Sequence, residues 1–416
     1  MAGLGRNFNT LWAAATVSNV GDGIAAAAAP LLVASLTTDP VLVGMAMFAQ
    51  QLPWLLFSLI SGVVVDRIDR RRLIVAMNAT RAVLVGALAL AVYAEAVSIP
   101  LVYAVGFLLG CCETLGDNAS AAMIPTVVAP EDLPRANARL QSAFYVVNKF
   151  AAPPLGAALF GIAAGLPIGV NAVSFALAAL LMSALRGVGR ERPAPAAERG
   201  SVRADIADGV RWLWHQPAIR TLSLVLCLMN VTLFSCFSTL VLYCREHLGV
   251  SELGYGVMLT VSAAGGLAGS LVAPWLQARF STSTLLRAGL VVESLTHVGL
   301  ALAGTAWVAA AVLLAFGAHA SVWNSVDATL RQRAVPDELR GRVTSVFMTV
   351  VVGGAAVGAA IGGPLAARLG ITGPYWVAAT VMGALTVLVW RPFGRRMAVP
   401  EPVAVSAAPA PVVGAV

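Results

Sequence analysis

Charged residues are scarce in this chain. Only 11% of its 416 residues are Asp, Glu, Lys or Arg, whereas 59% are hydrophobic and the mean hydropathy is +0.83. An ordinary soluble domain carries about 25% charged residues. Apolar windows of about 20 residues, the length needed to cross a bilayer, recur from Thr10 to Arg391. The composition therefore excludes a soluble globular protein and predicts an all-α polytopic membrane protein.

Residues that carry catalytic or metal chemistry are also few. The five cysteines have no metal-ligand spacing, and the chain has only four histidines. Neither a phosphate-binding loop nor a nucleophile motif is present in the sequence. We therefore expect no enzyme, no metal and no ATP-driven machinery. The formal charge of +7 comes from arginines beside the apolar runs, which is typical of membrane topology and indicates no nucleic-acid partner.

Twelve hydrophobic runs predict twelve membrane-spanning helices. Arginines concentrate in those connecting segments that lie on the same side as the N-terminus. Because cytoplasmic loops are enriched in Arg and Lys, both termini are predicted to be cytoplasmic. The predicted spans are residues 10–35, 41–65, 73–93, 99–121, 138–162, 166–185, 219–243, 252–277, 284–303, 306–328, 342–367 and 373–390.

The widest polar break divides the chain into two halves. It predicts an N-terminal six-helix half (1–185), a cytoplasmic linker (186–218), a C-terminal six-helix half (219–396) and a disordered cytoplasmic tail (397–416). Within the linker, apolar residues recur at helical spacing and predict an amphipathic helix at the membrane surface. That helix is either a spacer between the halves or a regulatory element. Its apolar positions are Ile206, Val210, Leu213 and Trp214.

The two halves repeat each other in sequence. A shift of 206 residues aligns an asparagine, a proline, a leucine and a glycine of the first half with identical residues of the second. Parallel repeats of six spans predict two pseudo-symmetric six-helix halves, with a substrate path where the halves meet. The aligned pairs are Asn118 with Asn324, Pro130 with Pro336, Leu133 with Leu339, and Gly156 with Gly362.

A basic loop separates the second and third predicted spans. It contains Gly62, Asp66, Arg67, Arg70 and Arg71 in the pattern G-x3-D-R-x2-R-R. Together with twelve spans and a central linker, this pattern resembles the major facilitator superfamily over essentially the whole chain to Arg396. The usual loop motif has Gly where this chain has Asp69.

Three further stretches strengthen or shape the resemblance. Asp-Arg-x-Asp-Arg-Arg in the loop is similar to the branch that holds macrolide-efflux and enterobactin-exporter-like proteins, as are the motifs at 124–137 and 171–175. The stretch Pro153-Pro154-Leu155-Gly156 resembles a degenerate antiporter motif, in which alanines replace most of the glycines.

The resemblance implies the major facilitator fold and a secondary transporter in the cytoplasmic (inner) membrane of a prokaryote. No cofactor is implied beyond a proton gradient as energy source. The expected partners are a small-molecule substrate and the lipid bilayer, and the expected state is a monomer.

The resemblance also implies that the loop acts as a conformational latch, in which Asp66 pairs with an arginine or a helix end. The residues of this latch would be Gly62, Asp66, Arg67, Arg70 and Arg71. The matching region of the second half has Ala273 and Pro274 instead, so the latch would be asymmetric.

Charges inside spans are the sharpest functional signal, because each costs roughly 3 kcal/mol unless it is paired or hydrated. Asp22 lies near the middle of span one, and Lys149 lies at a similar depth in span five. Glu113 and Asp117 are four residues apart and therefore share a face of span four. The superfamily resemblance implies that spans one, two, four and five line the cavity, so these four charges are predicted to share one aqueous cleft.

A proton-coupled carrier needs a carboxylate whose proton affinity changes as water or a cation reaches it. Asp22 and Glu113 are the leading candidates for this role, and Asp117 is a further one with a structural role as the stronger alternative. Lys149 would be the counter-charge or a binding site for an anionic substrate. His319 aligns with Glu113 under the 206-residue shift and is a weaker proton-coupling candidate. The alternative for the whole set is a static charge network that holds the helices together.

Other polar and aromatic residues in spans have two interpretations. They line a substrate cleft, or they form ordinary hydrogen bonds between helices. Glu293 and His297 in span nine are interpreted as a packing pair, and Arg81 as a structural residue that reaches the membrane surface or Asp66. The candidates for the cleft are Gln50, Gln51, Trp54, Asn230, Trp323 and Asn324.

The sequence favours proton-coupled efflux of small hydrophobic molecules, such as a drug, antibiotic, siderophore or secondary metabolite, by alternating access. An uptake carrier or facilitator of a small metabolite is an alternative within the same class. A non-transporting membrane receptor built on a transporter fold is an alternative from another class.

Overall fold

The computed structural model describes residues 4–65, 67–185, 202–336 and 339–396. Helices make up almost all of the described chain, which confirms the predicted all-α class. The bounds are α1 Arg6–Leu36, α2 Pro40–Val65, α3 Arg70–Tyr93, α4 Ile99–Val127, α5 Leu133–Ala143, α6 Ala152–Ile162, α7 Gly165–Ser183, α8 Val202–His215, α9 Pro217–Phe237, α10 Leu240–Leu242, α11 Glu252–Arg279, α12 Thr282–Leu302, α13 Ala306–Ala334, α14 Arg340–Leu369 and α15 Gly373–Arg396. π-Helical turns follow α5 (Phe144–Ala151) and α10 (Tyr243–His247), and a 3₁₀ turn, Pro130–Asp132, precedes α5.

Eleven helices of the described chain are long and apolar enough to cross a membrane. The predicted span 138–162 is instead a composite of α5, the π-helix and α6. Pro153 and Pro154 explain the wider turn, because proline has no N–H to donate to the carbonyl four residues earlier. The hydroxyl of Thr260 on α11 donates to the carbonyl of Phe150 at 3.0 Å, and so satisfies an acceptor that Pro154 leaves free.

The helices of the two halves pack in the same order. In the first half α1 packs on α6 and α7, α2 on α4, and α3 on α4 and α7. In the second half α9 packs on α14 and α15, α11 on α13, and α12 on α13 and α15. The same set of neighbours recurs when each span of the first half is replaced by its counterpart in the second. This is the pseudo-symmetry that the 206-residue repeat predicts.

The halves meet along two helix pairs: α2 packs on α14, and α6 packs on α11. The pseudo-symmetry relates one pair to the other. Gly44 allows the first close approach, because a Cβ at this position would lie 3.1 Å from the backbone nitrogen of Gly363. Arg245, after α10, donates to the carbonyl of Ala34 on α1 at 2.9 Å. These contacts lie at the helix ends that the topology prediction places outside the cell.

The linker helix α8 packs on α14 of the second half. Asp208 forms ion pairs with Arg211 at 3.2 Å and with Arg342 at 3.5 Å. Leu213 is buried in the core of the second half, whereas Val210 and Trp214 are exposed. The predicted apolar face is therefore divided, with one part packed on protein and another part free to face the membrane. The rest of the linker, 186–201, and the predicted disordered tail, 397–416, lie outside the described residues.

Candidate functional site

The first half contains a polar cavity of about 130 Å³ between α1, α3 and α4. Its apolar lining comes from Leu11, Met77 and Met182, among others. A polar cavity at the depth of a bilayer is the kind of site where ionisable groups can be hydrated or paired. The polar residues that line it are Ser18, Asn19, Asp22, Asn78, Arg81, Asp117 and Ser120.

Asp22 is held on α1 by the close packing of its neighbours. A Cβ on Gly23 would lie 2.5 Å from the carbonyl oxygen of Asn148, so only glycine allows α1 to approach the π-helix this closely. Asn148 donates to the carbonyl of Asn19 at 3.3 Å, and the hydroxyl of Ser18 donates to the Asp22 carboxylate at 3.4 Å. Tight packing on one side of α1 thus fixes the carboxylate toward the cavity.

Arg81 is the central base of this cavity. Its side chain is 6% exposed, and its guanidinium stacks over Phe175 with Cζ 5.3 Å from the ring centroid. It interacts electrostatically with Asp22 and Asp117. The buried Nη2 has no hydrogen-bond partner among the described residues. Arg81 does not extend to the membrane surface as one of our interpretations had it, because α3 turns this face toward α1, α4 and α7.

Two of the four predicted span charges, Asp22 and Asp117, line the cavity. Glu113 and Lys149 do not line the cavity, but both interact electrostatically with Asp22. Lys149 lies on the π-helix, with its Nζ 5.2 Å from the centroid of Phe144. Asp117 is exposed, so water can reach it.

The cluster has an excess of acid. Asp22, Glu113 and Asp117 supply three carboxylates, whereas Arg81 and Lys149 supply two bases. One negative charge is left uncompensated when all five groups are ionised. Such a cluster can take up a proton or a cationic group without creating a new unpaired charge.

His319 lies in a separate, second-half cluster. Its Nε2 is 3.1 Å from Glu293 Oε2, and His297 Nε2 is 3.5 Å from Glu293 Oε1. Glu293 and His297 are therefore more than the packing pair within one helix that the sequence indicated, because they are joined to α13 through His319. The side chains of all three are almost fully buried.

Two of the predicted substrate-binding residues make their contacts within the second half. Trp323 is 3% exposed and packs against Gly289 and His319, so it lines no open cleft in this conformation. Asn230 donates its side-chain amide to the carbonyl of Leu226, one turn earlier on its own helix, at 2.8 Å. Gln50 and Asn324 are exposed, and Gln51 and Trp54 are half-buried.

The described latch arginines bind carbonyls of the first half. Arg70 donates to Ala122 on α4 at 3.0 Å, and Arg71 donates to Met182 at 3.2 Å and to Ser183. These bonds join the start of α3 to the C-terminal ends of α4 and α7, where helix carbonyls lack partners. Arg67 is exposed, Gly62 lies near the end of α2, and Asp66 lies outside the described residues.

Asp69 explains the departure of the loop from the usual motif. Its carboxylate accepts a hydrogen bond from the backbone N–H of Arg72 at 2.9 Å and so caps the N-terminus of α3. A glycine cannot make this side-chain bond. At this position the chain therefore has an aspartate that caps α3 in place of a glycine with a more flexible backbone.

Sequence reasoning missed Asn78 as a site residue, and it interpreted Arg81 as structural although Arg81 lines the same cavity. They are three residues apart on α3, and therefore lie on one helix face. That spacing was a usable signal, as was the four-residue spacing of Ser18 and Asp22 on α1. Within the described parts of the chain, no group of three or more His, Cys, Asp or Glu residues is arranged to hold a metal ion.

Comparisons with known proteins agree with this architecture. The family profile described as "Transmembrane secretion effector" (MFS_3) matches residues 4–413. The multidrug efflux pump Tap of Mycolicibacterium fortuitum is 27% identical over 378 residues, which cover 86% of this chain and 88% of that protein. The enterobactin exporter EntS of Shigella boydii serotype 4 is 24% identical over 367 residues, covering 87% and 86%.

Solved structures share the fold at low sequence identity. A bacterial homologue of the iron transporter ferroportin, in an inward-facing state, superposes with a TM-score of 0.74 at 18% identity, covering 95% of this chain and 100% of that one. The outward-facing state of such a homologue gives a TM-score of 0.62 at 19% identity, with 94% and 99% covered. The nucleoside transporter NupG gives 0.71 at 12% identity, with 95% and 100% covered.

The fold, with its two six-helix halves and a charged cavity at membrane depth, defines a membrane transporter of the major facilitator superfamily. Within that superfamily, this chain belongs to the transmembrane secretion effector family.

Proposed function

We propose that this protein exports small, hydrophobic molecules in exchange for protons. The observation that carries the proposal is the five-charge cluster of the first half at membrane depth, which has one acid more than its bases can neutralise. A site of this kind binds either a proton or a cationic group. The names of the relatives Tap and EntS, a multidrug efflux pump and an exporter, support outward transport.

Arg81 can respond to protonation of the cluster by changing its position. Its guanidinium lies near both Asp22 and Asp117 and has a free buried donor among the described residues. When one carboxylate takes a proton, its attraction to Arg81 falls and the guanidinium shifts toward the other. Because Asp22 belongs to α1 and Asp117 to α4, this shift changes how these two helices attract α3.

We further infer that the described state is open to the cytoplasm. The contacts between the halves at Gly44 and Arg245 lie at the helix ends predicted to be outside. The higher TM-score with the inward-facing ferroportin homologue, 0.74 against 0.62 for an outward-facing one, supports the same state. Alternating access then requires these contacts to open while the cytoplasmic ends close.

Ethidium, a hydrophobic cation, is a suitable probe because its charge matches the excess acid of the cluster. The purified protein in liposomes is given an imposed proton gradient, and ethidium and proton movements are recorded together. Asp22→Asn and Glu113→Gln should each slow proton-driven transport by at least about tenfold, the factor for about 1.4 kcal/mol. Asp39→Asn is the matched control, because Asp39 caps α2 outside the membrane and asparagine caps equally well.

The outcomes separate the three functional classes. If both variants transport at the wild-type rate, the proton-coupling assignment is wrong. Ethidium accumulation in cells that does not rise when the proton gradient is collapsed would favour uptake or facilitation. No substrate-dependent proton movement across a broad panel of hydrophobic cations, weak acids and neutral compounds would favour a receptor.

A further inference from the structure

Glu293 is a buried carboxylate whose ion-pair partners among the described residues are histidines. Its side chain is 2% exposed, and among the described residues its ion pairs are those with His297 and His319. An isolated carboxylate buried at this depth would be strongly disfavoured. A proton on one imidazole therefore stabilises the ionised Glu293, because the cluster as a whole is then neutral.

The hydrogen-bond geometry fits one exchangeable proton. Both carboxylate oxygens of Glu293 face an imidazole Nε2, at 3.1 Å for His319 and 3.5 Å for His297. The Nε2 of His319 hydrogen-bonds to Glu293, whereas the buried Nε2 of His297 makes an ion-pair contact without a hydrogen-bond partner among the described residues. When each neutral imidazole carries its proton on Nε2, the two Nδ1 atoms are the places where a further proton is gained or lost. The Nδ1 of His297 lies 3.7 Å from the thiol of Cys236 on α9.

The titratable groups around the cluster come from each of the helices packed there. Cys236 faces it from α9, His319 from α13, and Tyr375 from α15 lies close enough to interact with Cys236. The hydroxyl of Tyr375 is buried without a hydrogen-bond partner among the described residues. Thiols and phenols are ordinarily neutral near pH 7, whereas an imidazole is the kind of side chain that can exchange a proton in that range.

Under the pseudo-symmetry of the fold, this cluster lies on helices equivalent to those that carry part of the acidic cluster in the first half. Helices α12 and α13 are the counterparts of α3 and α4, and His319 aligns with Glu113 under the 206-residue shift. In the first half the base is on α3 (Arg81) and the acid on α4 (Asp117). In the second half the acid is on α12 and the base on α13. The bases differ in chemistry, because an imidazole releases its proton near neutral pH whereas a guanidinium does not.

We propose that Glu293, His297 and His319 form a second proton-binding site, in the C-terminal half, that binds and releases one proton during transport. This proposal rests on the proton coupling proposed above, to which it adds a second site. Because Glu293 and His297 belong to α12 and His319 to α13, loss of the proton would leave α12 with an unbalanced negative charge and weaken its bond to α13.

The test is a direct titration of the histidines in the full-length protein in lipid nanodiscs. The chain has four histidines, and replacing His215 and His247 by Gln leaves only the two of the cluster. Imidazole ¹³C resonances are then followed between about pH 5 and pH 9, a range that brackets the ordinary imidazole transition. We expect one of the two imidazoles to change protonation within this range, with a simultaneous shift of the other.

Glu293→Gln removes the charge but keeps the shape of the side chain. It should move the midpoint of that titration by about one pH unit or more, the size expected for an adjacent opposite charge. Glu246→Gln is the control, because Glu246 is exposed near the outer end of the seventh span. The pH profile of ethidium export should move in the same direction in Glu293→Gln and stay unchanged in Glu246→Gln.

Two results would overturn the second site. One is a pair of imidazoles that do not change protonation between pH 5 and 9, and the other is a Glu293→Gln titration identical to that of the parent. The parent titration does not depend on Glu293→Gln, so the site can be judged even if that variant does not fold. The titration also does not depend on transport. If the imidazoles titrate as expected but proton-driven export fails, the coupling mechanism is rejected. If export is normal but neither imidazole changes protonation, this site alone is rejected.

Discussion

Arg81 joins three helices through a single side chain. Its aromatic contact is with Phe175 on α7, and its charge interacts with Asp22 on α1 and Asp117 on α4. A carboxylate at membrane depth that loses its basic partner either takes up a proton or becomes destabilising. Either result removes the exchange of a proton that coupled transport needs.

We therefore predict that Arg81→Gln abolishes proton-driven ethidium export, lowering its rate by at least about tenfold. Arg81→Lys should recover part of the rate, because lysine restores the charge but lacks the planar group that stacks on Phe175. The measurement is transport in liposomes under an imposed proton gradient, with thermal unfolding recorded on the same samples. Arg287→Gln is the control, because Arg287 is the counterpart of Arg81 under the 206-residue shift and binds only the carbonyl of Trp390 in the hydrogen bonds described. Equal losses in both variants would mean that a general effect of arginine removal is being measured.

The residue scale also shows the limit of reading side chains from sequence. Asp22 and Glu113 could be singled out because a charge in an apolar run is conspicuous. Arg81 was equally conspicuous, but whether it faces a cavity or the membrane surface depends on the rotation of α3. The same holds for Glu293, whose bond to His319 joins residues 26 positions apart in the chain. These contacts are set by the packing of helices and not by any spacing within one helix.

Among the elements, the fifth span departs most from a regular helix. Hydropathy predicted its position, but Pro153 and Pro154 were interpreted only as a family motif. In the structure they coincide with the end of a π-helix that carries Lys149, and Thr260 of the other half donates to the carbonyl of Phe150. The spans were predictable because each depends on local apolarity, whereas this contact depends on how the halves dock.

This contact predicts a specific coupling between two substitutions. Thr260→Val should lower the free energy of unfolding by about 1 kcal/mol, because the Phe150 carbonyl loses its donor inside the membrane. Pro154→Ala supplies a backbone N–H one turn after Phe150 that can take over the bond. Thr260→Val should therefore cost less in a Pro154→Ala background, and a double-mutant cycle on unfolding in detergent measures the difference. Additive effects of the two changes would show that the threonine and the proline act independently.

Helix α8 offers a second prediction at this scale. A Cβ on Gly209 would lie 2.8 Å from the carbonyl oxygen of Arg342, so the helix can dock on α14 only with a glycine there. Gly209→Leu should release α8 and raise the rate of tryptic cleavage after Arg211 by about tenfold for each 1.4 kcal/mol of docking energy lost. Ala207→Leu is the matched control, because Ala207 is exposed on the same helix.

The two interpretations of the linker then give different export results. A pure spacer leaves ethidium export unchanged in Gly209→Leu, because only the connection between the halves is needed. A regulatory helix changes export when it is released from α14. Cleavage that is as slow in Gly209→Leu as in the control would contradict the docking geometry itself.

At the scale of the whole molecule, the halves pack along α2 with α14 and along α6 with α11, and these interfaces include close backbone contacts. The interface between α2 and α14 is narrow at Gly44 and Gly363, where one backbone lies against the other. Such contacts favour whichever state closes this end, and they contribute nothing in the state where the end is open. The equilibrium between the two states is therefore sensitive to the size of the residue at position 44.

We predict that Gly44→Leu shifts the protein away from the described state. A leucine side chain would overpack this site, because a Cβ alone would already lie 3.1 Å from the nitrogen of Gly363, and overpacking typically costs about 1–3 kcal/mol. A cost of this size changes the ratio of the two states by about 5-fold to 150-fold. Spin-labelled amino acids at Thr38 and Arg368, both exposed near this interface, report the separation of α2 and α14 by pulsed electron resonance. The longer distance should gain population in Gly44→Leu and not in Gly106→Leu, because a Cβ at Gly106 would meet no atom within 4 Å. Export of ethidium should fall in parallel, because a carrier that cannot close one end cannot complete alternating access. An unchanged distance distribution together with normal export would show that this contact does not control the state of the transporter.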